Sequence, residues 1–206
     1  GVSGSVLEMV NHGLTTGAMF FLVGVIWERR GTLRFSELGG LQKSAPILAA
    51  IFLVVVMSAI GLPGLNGFVG EFLVLVGTFI THRWWAVVGT SAVITAAIYL
   101  LWAYQRVFHG ATSAVNAAIR DMSWREIAAV APLLAGIVFL GVFPQPFLSR
   151  VTPSVNHLLA HVQTVDPAAH VPGTTNKSFF TTVPADQRVD AGLPASTTAA
   201  VKAGDK

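Results

Sequence analysis

Of the 206 residues, 53% are hydrophobic and only 11% charged, and the mean hydropathy is +0.65. This balance belongs to membrane-embedded chains rather than soluble domains, so the lipid bilayer is the expected surrounding. The net charge of +3 does not signal nucleic acid, because the basic residues are scattered around apolar spans without aromatic interleaving for base stacking. Zero cysteines exclude disulfides, iron–sulfur ligation and thiol chemistry on this chain, and no His cluster has metal-ligand spacing.

Residues 1–10 lack the basic n-region and small-residue cleavage site of a signal peptide, and the chain reads as a fragment opening just before or within a transmembrane helix. Four apolar regions follow, at about 6–27, 45–80, 84–107 and 127–143. The first, third and fourth are near the roughly 20 residues that span a hydrocarbon core. The second is too long for one straight crossing. It is either two short spans or one span interrupted by Gly61-Leu62-Pro63-Gly64-Leu65-Asn66-Gly67, where Gly61, Pro63, Gly64 and Gly67 oppose a continuous helix.

The distribution of basic residues decides between these readings. One crossing places Arg29, Arg30, Arg34, Lys43, Arg106, Arg120 and Arg125 on one side, with only Arg83 and Arg150 on the other. Two crossings give a weaker bias, six against three. A single broken helix is therefore expected, with the loops at 28–44 and 106–125 facing the cytoplasm and the chain after Pro146 facing outward. The fourth region stops at Phe143-Pro144-Gln145-Pro146. Residues 151–165 are expected to include a short interfacial helix, since Val155, Leu158, Leu159 and Val162 recur at helical spacing. The tail at 166–206, rich in Thr, Ala, Pro, Asp and Gly, is expected to be disordered or peripheral.

Glu71 is the only formally charged residue between 45 and 80. A carboxyl at mid-bilayer costs about 3 kcal/mol on insertion scales, so its presence points to an ion or proton pathway. The expected second half-helix starts near Phe68, which puts Glu71 in its first turn, where the helix N-terminus favours a negative charge. The opposing reading is a re-entrant hairpin or a Gly/Pro kink with Glu71 at a buried interface. Histidine as a residue type changes charge near neutrality, so His12, in the first span, suits a proton relay, although an intramembrane His also serves as a hydrogen-bonded packing residue. Thr15, Thr16 and Ser58 are weaker candidates for polar lining. His82, His109, His157, His161 and His170 fall at span ends or in the tail. No paired carboxylates, Ser/His/Asp arrangement, metal site or cofactor site is expected on this chain.

The run Gly61-Leu-Pro-Gly-Leu-Asn-Gly-Phe-Val-Gly-Glu71-Phe72, with Asn11-His12-Gly13 upstream and Glu37-Leu-Gly-Gly-Leu41 between, closely resembles the C-terminal part of the subunit M family of bacterial NADH-quinone oxidoreductase, respiratory complex I. Its mitochondrial counterpart is chain 4. The resemblance covers about residues 5–148. It implies an all-α polytopic bundle, namely the last four helices of an antiporter-like proton-pumping subunit with one broken helix. It also implies that Glu71 is the acid of that helix and that His12 relays protons to it. FMN, iron–sulfur clusters and quinone are implied on other subunits. The implied partners are the other membrane-arm subunits, especially neighbouring antiporter-like ones, in the inner membrane of a bacterial cell. Alternatives are a subunit of a multisubunit cation/proton antiporter or membrane-bound hydrogenase, and, in a different class, a structural membrane scaffold.

Overall fold

The computed structural model describes residues 1–165, and the expectation for the tail at 166–206 lies outside them. Every regular element among the described residues is a helix: α1 (Val2–Arg30), α2 (Leu41–Ser44), α3 (Pro46–Ala59), α4 (Asn66–Thr81), α5 (Arg83–Phe108), α6 (Ala114–Ala117), α7 (Trp124–Val142) and α8 (Gln145–Val165). Gly1–Asn156 form one compact unit, and the second, His157–Lys206, is described only as far as the end of α8.

Helices α1, α5 and α7 are long and apolar enough to cross a membrane. Helices α3 and α4, with 14 and 16 residues, are not. Together they make one crossing, as their pairing with α1 shows. Gly1 lies against Gly77, Gly4 against Leu73, and Glu8 against Gly70. Asn11 bonds to Asn66, and Thr15 bonds to Ser58. The partner number falls steadily as α1 advances, so α3 and α4 run end to end, antiparallel to one helix. A hairpin would have reversed the order at the break. If α4 continued backward without interruption, the residue opposite Thr15 would be 62, four before Asn66. Ser58 stands there instead, so the break takes up about four residues beyond a straight helix.

The loops that join these spans are knit together at one end of the bundle. The Gly40 N–H donates to His109 O at 2.9 Å, and Asn116 Nδ2 donates to Gly39 O at 3.0 Å and Glu37 O at 3.2 Å. Arg30 Nε donates to Asn116 Oδ1 at 2.7 Å. Gly40 has φ 65°, and a Cβ there would run into the Thr112 backbone, which explains the second glycine of the Glu-Leu-Gly-Gly-Leu run. Arg29 pairs with Glu126 at 2.7 Å, while Asp121 accepts from the N–H groups of Ile47 and Leu48 at 2.8 and 3.0 Å, capping α3. The two loops thus lie together at one end of the bundle.

The core between the spans is aliphatic and aromatic, with Ala18, Leu22, Val55, Phe108, Val130 and Ile137 fully buried. Large apolar side chains on α5, such as Trp84, Val88, Ile94 and Ile98, stay exposed, as expected where lipid or further protein replaces water. Helix α8 begins earlier than the periodicity from Pro153 suggests. Pro146 sits at its second residue, where no intrahelical N–H is required, so the prolines that end α7 also start the next helix. Pro153 then lies inside α8.

Candidate functional site

The interruption is a turn followed by an extended residue. After Ala59 the chain turns through Gly61 (φ 73°) and Gly64 (φ 95°), conformations that L side chains resist, and Leu65 is extended before α4 resumes. Gly67 is not part of the unwound stretch. It is the second residue of α4, and a Cβ there would collide with the Ser58 carbonyl oxygen, so it lets α4 close onto the end of α3.

Backbone that leaves helical geometry at membrane depth needs protein or water partners. Here a fully buried asparagine supplies them. Asn11 Nδ2 donates to Asn66 O at 2.7 Å, and Asn66 Nδ2 donates back to Asn11 O at 3.3 Å. Ser58 Oγ donates to Asn66 Oδ1, and Thr15 Oγ1 and Ser58 Oγ are 3.0 Å apart. Thr15 and Ser58, expected only as weak polar lining, thus meet inside the clasp that pins the break to α1. Nothing local in the sequence marks Asn66 for this role.

Beside the clasp lies a cavity of about 230 Å³ whose wall includes Glu8, Asn11, His12, Thr15, Thr16, Ser58, Gly67, Glu71 and Tyr99. It has room for several waters. Glu71 and His12 are therefore brought to one site. Two expectations need correction. Glu71 is in the second turn of α4, not the first, because the helix starts at Asn66 rather than Phe68. From there its carboxyl reaches back over the break, and a Cβ on Gly61 would overlap Glu71 Oε2. The N-terminal dipole is correspondingly weaker at the carboxyl than a first-turn position would give.

The second correction is larger. The site does contain paired carboxylates, because Glu8 faces the same cavity from α1. Its Oε2 lies against Gly70, the residue before Glu71, at a spot only a glycine leaves open. The signal was in the sequence: Glu8, His12 and Thr16 recur every fourth residue and so stack on one helix face. Thr16 Oγ1 lies 3.4 Å from His12 Nε2. His12 itself is exposed, on the open side of the site.

The ionisable groups around this cavity are Glu8, His12, Glu71 and Tyr99, with no Lys or Arg among its lining residues. Such a set can accept and release protons through water but offers no nucleophile–base pairing, and no group of three or more His, Asp or Glu suited to a metal occurs among the described residues. Met19 and Leu100 close one side, and beyond them lies an apolar cavity of about 240 Å³ lined by Val23, Ile26, Phe35, Phe52 and others.

Helices long and apolar enough to cross a membrane, with one crossing broken around a buried clasp and ionisable residues beside the break, form an architecture that recurs in secondary-transport folds. Residues 1–98 match a family model described as NADH:quinone oxidoreductase/Mrp antiporter, TM, and this part of the chain belongs to that family. It is 45% identical over 173 residues to NADH-quinone oxidoreductase subunit M of Mycobacterium tuberculosis, covering 83% of this chain and 31% of that protein. It is 44% identical to subunit M of Rhodobacter capsulatus, over 77% of this chain and 31% of that one. Identity to NADH-ubiquinone oxidoreductase chain 4 of Marchantia polymorpha is 36%, over 78% of this chain and 33% of the other. Among solved structures, a chain of respiratory complex I from Thermus thermophilus with bound NADH superposes with a TM-score of 0.67 at 35% identity, covering 70% of this chain and 30% of that one. The chain thus spans about a third of the length of the relatives it matches.

Proposed function

We propose that this chain is the C-terminal part of a proton-translocating membrane subunit of NADH:quinone oxidoreductase. In this reading Glu71 carries protons at the break in α3–α4 and His12 relays them from the open side of the site. The observation that supports this reading is the polar cavity beside the break: Glu71 and His12, 59 residues apart in sequence, both line it within an otherwise apolar bundle. A neutral imidazole accepts a proton at the open side and hands it through water to a carboxylate held at the break. Thr16 orients the ring, and the Asn11–Asn66 clasp holds the break open on that side. The chain contributes no redox centre; FMN, iron–sulfur clusters and quinone belong to partner subunits, and neighbouring antiporter-like subunits supply the rest of the path. The membrane is the bacterial inner membrane, with the loops at 28–44 and 106–125 cytoplasmic and the chain after Pro146 outside.

The family description also includes Mrp antiporters. The relatives above are named as oxidoreductase subunits, and this favours the respiratory assembly. Purifying the native assembly through a tag on this chain tests the choice. Flavin and iron–sulfur signals with NADH:quinone reductase activity are expected. An assembly of antiporter subunits alone, lacking those signals, would refute it.

A further inference from the structure

We propose that Glu8 is a second proton-carrying residue of this site, exchanging one proton with Glu71 across the polar cavity. The proposal rests on the proton-translocation reading above and adds a residue from the facing helix.

Three observations carry it. Glu8 enters the cavity from α1 at the level of Glu71, with its Oε2 in the gap that Gly70 leaves, so the two carboxyls share one enclosure without a cation between them. Glu8 is one helical turn from His12 on the same face, which makes it the nearest carboxyl along α1 to the proposed relay. Between them Asn11, only 1% exposed, lines the same cavity, and its Oδ1 has no hydrogen-bond partner in the protein, while its Nδ2 is engaged by Asn66 O and lies 3.5 Å from Glu8 Oε2. A buried amide oxygen without a protein partner, on a side chain that lines the same cavity as both carboxyls, is placed to accept from a water there.

Two half-buried carboxylates that face one cavity with no cation between them repel, and sharing one proton relieves that repulsion. The other ionisable groups facing the cavity are His12 on the same helix as Glu8 and Tyr99 from α5. When Glu71 gives up its proton toward the exit, two negative charges face each other. Their repulsion draws a proton, which the His12 imidazole takes up from the open side, through water to Glu8. Glu8 then passes that proton through water to Glu71. One proton has entered and one has left, the imidazole is neutral again, and no heavy-atom bond has changed.

The test uses the assembled complex in sealed membrane vesicles, comparing Glu8→Gln, Glu8→Asp and Glu71→Gln. Glu8→Gln keeps the shape and the neighbour of Asn11 but cannot carry a proton. Pumping per NADH oxidised is expected to fall roughly tenfold or more, and Glu8→Asp to restore part of it. Pumping by Glu8→Gln within about twofold of the parent, with Glu71→Gln inactive, overturns this proposal alone. Normal pumping by Glu71→Gln overturns the underlying reading instead. If the Gln variant does not assemble, the unaltered complex decides. A hydrophobic carbodiimide, which requires a protonated carboxyl, is expected to modify both Glu8 and Glu71; modification of Glu71 without Glu8 refutes a shared proton.

Discussion

Replacing Asn66 with Ala removes the centre of the clasp that holds the broken helix against α1. The lost interactions are the bond from Ser58 Oγ, the donation to Asn11 O at 3.3 Å and a long contact with Thr15 at 3.5 Å. Interhelical side-chain bonds within membranes average about 0.6 kcal/mol and reach about 1.7 kcal/mol, so two good bonds amount to roughly 1–3 kcal/mol. Ser58 retains Thr15 as a partner, which keeps the cost toward the lower half of that range. The melting temperature of the membrane assembly is expected to fall below that of the parent complex. Pumping should fall as well, because the break no longer holds its place beside Glu71. The matched control is Asn116→Ala, a residue buried to a similar degree that ties the loop end to Arg30, Glu37 and Gly39. That variant should lose stability and keep pumping in the complexes that assemble. Differential scanning measurements and vesicle pumping on both variants check the reasoning. It is refuted if Asn66→Ala leaves melting and pumping unchanged, or if the two variants affect pumping equally.

Gly70→Ala places a methyl group against the Glu8 carboxyl, Asn11 Nδ2 and the Glu8 Cα; because backbone has to move, the expected cost is about 1–3 kcal/mol, read as a lower melting temperature together with impaired pumping. His12→Gln keeps polarity but cannot titrate, so proton pumping in vesicles should drop while the amount of assembled complex stays the same. This chain has no cysteine, so a single one can be placed at will. An impermeant maleimide added to intact cells should label Ser149→Cys, exposed at the start of α8, and should reach Ser36→Cys, exposed in the loop before α2, only after the membrane is opened.

The broken helix was legible because its signals are local: Pro63 and the glycines oppose a helix, and a lone acid in 36 apolar residues is conspicuous whatever surrounds it. That the break lies within one crossing was also readable, since basic residues report sidedness without a structure, and the antiparallel ladder along α1 shows the same arrangement. What sequence could not give was pairing across helices. Gly67 argues against a helix start by propensity, yet α4 begins at Asn66 because Asn11, Ser58 and Thr15 hold that residue from other segments. The tertiary bonds override the local preference, and Glu71 consequently sits two residues deeper in its helix than expected. Glu8 went unnoticed because its meaning depends on Gly70 leaving room for it 62 residues later. Its fourfold spacing from His12 was visible, but only the fold shows that this face of α1 meets the break.

The most direct test of the account is the proton-to-electron ratio of the assembled complex carrying Glu71→Gln. Gln fills nearly the same volume and can still hydrogen-bond, so a residue that only shaped the break would tolerate it, whereas a proton carrier needs an ionisable group there. With NADH and quinone supplied to sealed vesicles, pumping is expected to vanish and coupled turnover to fall, while electron transfer from NADH to an artificial acceptor persists and Glu71→Asp recovers part of the pumping. Parental pumping and turnover in an assembled Glu71→Gln complex would contradict the account and make Glu71 a structural residue.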